Sequence, residues 1–500
     1  MATMTPATGD VAAIQLPGGG YGACRVVSSG RATVVACALA WHSEDPPELR
    51  QLADAGPLIL DHHAHQGEPA KINIDVDELP PPGWMWLGRL PVPAGLPAGG
   101  RNAYSGWSWL PTQIAAQRRW DRKLPAAAKQ AYRAGATRGQ VAVDFGAGPA
   151  VIGGATGRLD LTGAGPLGPP ATGAVRWSAL DDLPRCTSLT WAGPDRGLTA
   201  ALTDHPIIQN LTWTDAPSNL DLRHTGLTSV SVRGPIDLLQ LPEDLTSLDL
   251  LDGARVHAVT AVDHGRWLNL WISSPTPTVH IPAGLDQVRE LRLAGRATID
   301  AAPLRVLQRL ETLWLDWQAA PGALNDAAVL AELPRLARLT LTDAYDLDAD
   351  TLPDLPTLTS LAIHGLRRTA ATGIKARYRG SDTHLSITGA KNDIWLAANL
   401  TNPLRDWADD DPRGGAAACK AYAAAVRAVD ALPVDPRDPA TAAEPILRSF
   451  VRQLNRIDER WELIDTLRRE QAGDAFVALA TRAGVPTDVA DEWFDDWRDF

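Results

Sequence analysis

The sequence predicts a multidomain α+β chain in which a solenoid of short parallel strands separates a β-rich N-terminal domain from an α-helical C-terminal one. Three observations carry this. Apolar runs flank a glycine cluster at residues 18–22. An apolar-x-apolar pair then recurs ten times between Leu189 and Ile387. Beyond residue 392, apolar residues return at three- and four-residue steps.

The first domain spans residues 1–125. Gly9-Asp10 opens an apolar run that ends at Leu16-Pro17, the glycine cluster turns the chain, and Arg25-Val26-Val27 returns it, which is a β-hairpin pattern. Residues 32–40 continue the meander and residues 84–91 supply a later strand. No helix signal follows the glycines, so they form a turn and not a phosphate cradle, which needs a helix N-terminus to aim its amides. The Gly-Asp opening, the Leu-Pro strand end, the glycine turn with Tyr21, the Arg-Val strand and Trp84 to Gly88 together resemble a family of small bacterial immunity proteins from polymorphic-toxin systems. The likeness covers residues 8–95 and implies a compact β-barrel that neutralises a toxin by direct binding. A generic small barrel used as a protein-binding module is the other reading. Asp61, His63 and His65 would share one face of a strand and are the only metal-ligand candidates; exposed loop histidines are the plainer reading. Trp107, Trp109 and Trp120 surround a helix expected over 111–122 and cover the barrel. Residues 126–180 are a Gly-, Ala- and Pro-rich connector, in which Leu159-Asp160-Leu161 reads as a degenerate first coil capping the solenoid.

The solenoid occupies residues 181–391. Its pairs are Leu189/Trp191, Leu211/Trp213, Val230/Val232, Leu248/Leu250, Leu268/Leu270, Leu291/Leu293, Leu313/Leu315, Leu339/Leu341, Leu361/Ile363 and Leu385/Ile387. First members lie 18 to 26 residues apart, one strand and one return segment per coil. Alternate side chains of a strand point to opposite faces, so each pair faces inward and stacked coils share one apolar column. This spacing resembles bacterial leucine-rich-repeat proteins over residues 159–390. The Asn that often follows the strand in that family is mostly missing here, so an irregular convex side is expected. The partner-facing surface would be the concave sheet, where outward residues stack in columns. Asp249, Trp267, Asn269, Trp271, Glu290, Arg292, Trp314, Asp316, Arg338 and His364 are the candidates, because tryptophan and arginine dominate binding hot spots. The alternative is that a neighbouring domain, the C-terminal one folded back, covers these tryptophans.

Residues 392–500 form the helical domain. Ile446, Phe450, Leu454, Ile457, Trp461, Ile464 and Leu467 mark one long amphipathic helix, with Pro445 in its first turn. A second helix is expected from Asp474, as its cap, to Ala483, and residues 431–445 are expected to be a loop. The aromatic tail, Trp493, Phe494, Trp497 and Phe500, reads as core.

Five hundred residues, 45% of them hydrophobic, suffice for several domains. No apolar run reaches the ~18 residues of a membrane span, and the N-terminus has no basic-then-apolar signal pattern. Four scattered cysteines suit buried thiols in a cytoplasmic protein. The net charge of −12 argues against nonspecific nucleic-acid binding. Cys419 lacks the Cys-x-Asp motif of helical ubiquitin-ligase domains, and no Ser-His-Asp order, Walker loop or dinucleotide fingerprint is present. The expectation is therefore a non-enzymatic, cofactor-free protein-binding protein: an immunity-type inhibitor, or else a cytoplasmic scaffold or regulator. A metal-dependent hydrolase built on the histidines ranks third.

Overall fold

In the computed structural model, which describes residues 6–96, 106–163, 167–433 and 438–500 apart from Ala64, Asp77, Leu79 and Pro82, the N-terminal meander forms an antiparallel sheet. Its strands are β1 (Asp10–Gln15), β2 (Tyr21–Ser29), β3 (Thr33–Ala38), β4 (Lys71–Asp75) and β5 (Met85–Arg89), ordered β4-β3-β2-β1-β5. Gly18, Gly19 and Gly20 all take positive φ in the β1–β2 turn, which glycine reaches without a Cβ penalty. Among the described residues the expected closed barrel is not formed: β4 and β5 stay at opposite edges of an open sheet. Both faces are instead covered by other elements, which supplies the burial that closure would otherwise provide. Helix α1 (Trp109–Arg122) sets Leu110 and Ile114, beside Trp107, against Ile14, Val26 and Ile74. Leu52, Leu49, Leu87 and Leu90 pack with Val11, Ala23 and Leu39.

α1 serves two cores. Trp107 is buried in the first domain, but Trp120 joins Leu124, Tyr132, Phe145 and Leu159 in the core of the solenoid. Helix α2 (Ala126–Ala134) and the hairpin β6 (Gln140–Val143) and β7 (Ala150–Gly153) follow. Tyr132 and Val143 from these elements, with Leu159 beyond them, seal the end of the column that an isolated first coil would expose.

The solenoid sheet has eleven parallel strands whose spatial order is their sequence order. They are β8 (Arg158–Asp160), β9 (Ser188–Ala192), β10 (Asn210–Thr214), β11 (Ser229–Arg233), β12 (Ser247–Leu250), β13 (Asn269–Ser274), β14 (Glu290–Gly295), β15 (Thr312–Trp317), β16 (Arg338–Thr342), β17 (Ser360–Arg367) and β18 (His384–Lys391). Leu159 pairs in register with Leu189, so the degenerate first coil is real. One expected pair is displaced. Leu248 and Leu250 align with Leu270 and Ile272, and these with Leu291 and Leu293, so the buried pair of β13 is Leu270/Ile272 and not Leu268/Leu270.

The convex side is more regular than expected. Asn219–Asp221, Pro235–Gln240 and Arg255–Thr260 form a second parallel ladder, and Thr298–Asp300 pairs with Ala323–Asn325. The two shortest coils, 19 residues from Leu211 to Val230 and 18 from Val230 to Leu248, carry an extended return alone, whereas the coils of 22 and 26 residues that begin at Leu189 and Leu313 carry helical turns at Leu198–Asp204 and Ala327–Glu332.

The C-terminal domain has its own core, built from Leu404, Trp407, Phe450, Leu454, Phe476 and Phe494. Its main helices are α3 (Pro412–Asp430), α4 (Pro439–Trp461), α5 (Thr466–Arg482) and α6 (Thr487–Trp497). Helix α4 starts earlier than expected because Asp438 caps it, accepting from the Thr441 amide, and it carries Pro445 inside. It ends at Trp461, where Glu462 turns left-handed, so Leu467 belongs to the next helix and is exposed. Asp465, accepting from the Arg468 amide, caps α5 in place of Asp474. Residues 434–437 of the expected loop lie outside the described residues. Trp493, Trp497 and Phe500 pack around buried Phe494 on this core. No described helix is long and apolar enough to cross a membrane.

Candidate functional site

Parallel pairing without slippage turns strand position into rows across the concave sheet. Asp249, Trp271, Arg292 and Trp314 occupy one row on the four adjacent strands β12 to β15. Asn269, Glu290, Thr312 and Arg338 form the row before it. Asp316, Thr342 and His364 lie in the row after it. Sequence periodicity alone had pointed to most of these residues, and the register brings seven of the ten candidates into one patch.

The patch is chemically mixed. Trp271 is 40% exposed. The Arg292 guanidinium lies 4.2 Å from its ring centroid and donates Nε to Asp316 Oδ2 at 2.5 Å, so this arginine is held by a ring and a carboxylate. Asp249 accepts from Ser231 Oγ at 2.9 Å and Ser247 Oγ at 3.3 Å, while burial pushes its carboxyl above the ordinary range. Ser247, Asp249, Asn269, Trp271, Glu290, Arg292 and Trp314 line a depression of about 250 Å³.

Three candidates lie apart. Trp267 precedes β13 rather than sitting on it, because of the two-residue displacement of that pair. It lines the junction with Gln15 and Trp84 of the N-terminal domain, and the Arg266 and Arg289 guanidiniums lie 4.9 and 5.6 Å from its ring. The covering neighbour is thus the N-terminal domain and not the C-terminal one. Arg338 donates Nε to Thr312 Oγ1 at 3.1 Å and reaches the same junction. His364 is exposed, with Nδ1 2.7 Å from Thr388 Oγ1, away from the tryptophans.

The junction itself was missed from the sequence. Gln15, Pro81, Trp84 and Thr112 of the first domain and Arg266, Trp267, Arg289, Glu290, Glu311 and Arg338 of the solenoid enclose a cavity of about 140 Å³. Arg266 donates to Gln15 Oε1 at 3.1 Å, and Arg289 sits 3.6 Å from Glu311. The available signal was a charged residue immediately before successive strands, Arg289 and then Glu311.

The histidines do not form the expected ligand face. A turn with His63 at φ 48° replaces the strand. Asp61 pairs with Arg133 at 2.7 Å, His65 pairs with Glu68, and His63 turns inward against Trp120 and Tyr132. No group of three or more metal-ligating residues assembles among the described residues. The thiol of Cys419 is buried and pushed up to about 11, the opposite of what a nucleophile needs.

No family model and no curated protein matches this chain. Among solved structures it is similar to internalin C2 from Listeria monocytogenes, at 19% identity over 43% of this chain and 84% of that one, with a TM-score of 0.22. It is also similar to a leucine-rich-repeat protein from Leptospira interrogans, at 14% identity over 44% of this chain and 72% of that one, again with a TM-score of 0.22.

Proposed function

We propose that this chain is a non-enzymatic protein-binding protein that holds its partner on the concave sheet around Trp271 and Trp314. One observation carries the reading: the in-register row Asp249-Trp271-Arg292-Trp314, with a large indole left exposed above a depression. A fixed aromatic ring braced by an arginine offers much apolar area at little entropic cost, which is the composition of a binding hot spot. The immunity-type version, steric neutralisation of a toxin, rests on the short motifs of residues 8–95 alone, and the open sheet departs from the barrel they imply.

The test is affinity capture from a bacterial lysate with the intact chain and with Trp271→Ala/Trp314→Ala. Truncating a hot-spot tryptophan costs about 2 kcal/mol or more, so the double variant is expected to lose its partner by at least ~100-fold in affinity. A partner held equally by both proteins would move the binding surface to the N-terminal or helical domain.

A further inference from the structure

Glu290 is a half-buried carboxylate on the concave sheet. Desolvation pushes its carboxyl above the ordinary range against the opposing charge of Arg338, and it lines both the depression and the junction cavity. No hydrogen bond or ion pair of its carboxylate occurs among the described residues. Arg338, the nearest cation in its row, is two strands away, donates to Thr312 and acts on Glu290 only through space. Asp249 likewise has no ion pair among the described residues, though two serine hydroxyls donate to it. Arg292 lies on a strand between Asp249 and Trp314 but is already engaged by Trp271 and Asp316. Asp249 and Glu290 are thus two half-buried carboxylates on the depression without a direct ion pair, which gives it an acidic lining that a ligand's cation would complement.

We propose that this depression receives a basic side chain, lysine or arginine, from an extended partner segment, with Asp249 and Glu290 as the charge acceptors and Trp271 as the wall. This rests on the concave sheet being the docking surface. Charge complementarity selects the occupant. Glu290 and Asp249 are two strands and one two-residue step apart, ~12 Å between backbones. A long side chain entering between them lays its methylenes on the indole and brings its cation to a carboxylate. Arg292 covers one face of Trp271 from β14, and Asp249 is on β12, the strand on the opposite side.

The experiment is selection of displayed random dodecapeptides on the intact chain, followed by calorimetric titration of the best binders. Selected peptides are expected to share one lysine or arginine, and replacing it with norleucine or citrulline should lower affinity about tenfold or more. Asp249→Asn/Glu290→Gln should cause a similar loss, and the two losses should not add. Glu290→Gln alone should keep a single cooperative melting transition, which confirms that the variant folds. Binders without a shared basic residue, or basic binders unaffected by Asp249→Asn/Glu290→Gln, would overturn the inference while leaving the docking surface intact. Binders unaffected by Trp271→Ala/Trp314→Ala as well, or no binders at all, would overturn both.

Discussion

At the scale of single residues, the inward-turned histidines matter more for stability than for ligands. Nδ1 of His62 and Nδ1 of His63 are 3.1 Å apart, and His62 Nε2 is 3.1 Å from Gln113 Oε1 of α1. Burial first, then the neighbouring imidazole, pushes His62 down to about 4 and His63 to about 3. The unfolded chain, with imidazoles near 6.5, therefore binds more protons than the native state below that pH. Stability falls as pH drops from 6.5, and the loss is complete below the folded-state values. At pH 5 each imidazole costs roughly 2 kcal/mol. Asp343, whose carboxyl burial raises to about 6, works in the opposite direction, so comparison of variants is needed to isolate the imidazole. His63→Phe, which keeps a ring against Trp120 and Tyr132, should lose less stability than the natural chain between pH 7.5 and pH 5 in urea titrations. Equal losses would show that His63 is not the titrating group.

At the scale of the element, the coils show how far alternation can be read. Leu268, Leu270 and Ile272 alternate without a break, so three apolar residues offer two pairs of equal parity. Only the hydrogen-bonded neighbours choose between them, aligning Leu270 with Leu248. Because the slip is two residues, Asn269 and Trp271 keep their outward face, while Trp267 moves off the sheet. The return segments are equally strict. Gly284 has φ 89°, and a Cβ there would come within 2.1 Å of Val259 O on the neighbouring coil. Gly253, at φ 85°, has nothing within 4 Å of that position. Gly284→Ala is thus expected to destabilise by about 2–3 kcal/mol and Gly253→Ala by about 1 kcal/mol. Equal denaturation midpoints for the two variants would refute the coil-to-coil contact as the cause.

At the scale of the whole molecule, a buried arginine of α1 anchors the N-terminal domain to the solenoid. Arg119 is buried and donates Nη2 to Pro206 O at 2.8 Å and Gly226 O at 2.5 Å, beside Asp244. Lys123 adds Asp244 at 2.8 Å and Glu243 at 3.3 Å. At the far end, Asp343 pairs with Arg405, and Lys391 with Asp409, tying the helical domain to the last coils. Removing Arg119 leaves two carbonyls without their donor, at about 1–3 kcal/mol each. Arg119→Ala should therefore speed amide exchange in residues 206–228 and around Trp267, and leave α3 to α6 unchanged. Unaltered exchange near Trp267 would mean that the junction does not depend on this anchor.

The leucine pairs determined by themselves that the middle of the chain is a stack of parallel strands, and which side chains face outward, because alternation records local burial directly. The aromatic tail was legible as core for the same reason. Closure of the N-terminal sheet, and the choice of which tryptophans stay free, were decided only by tertiary structure. Gln15 meets Arg266 across 251 positions of sequence, and Arg119 meets Gly226 across 107. Such contacts depend on the shapes of two finished surfaces, and no period within either segment encodes them.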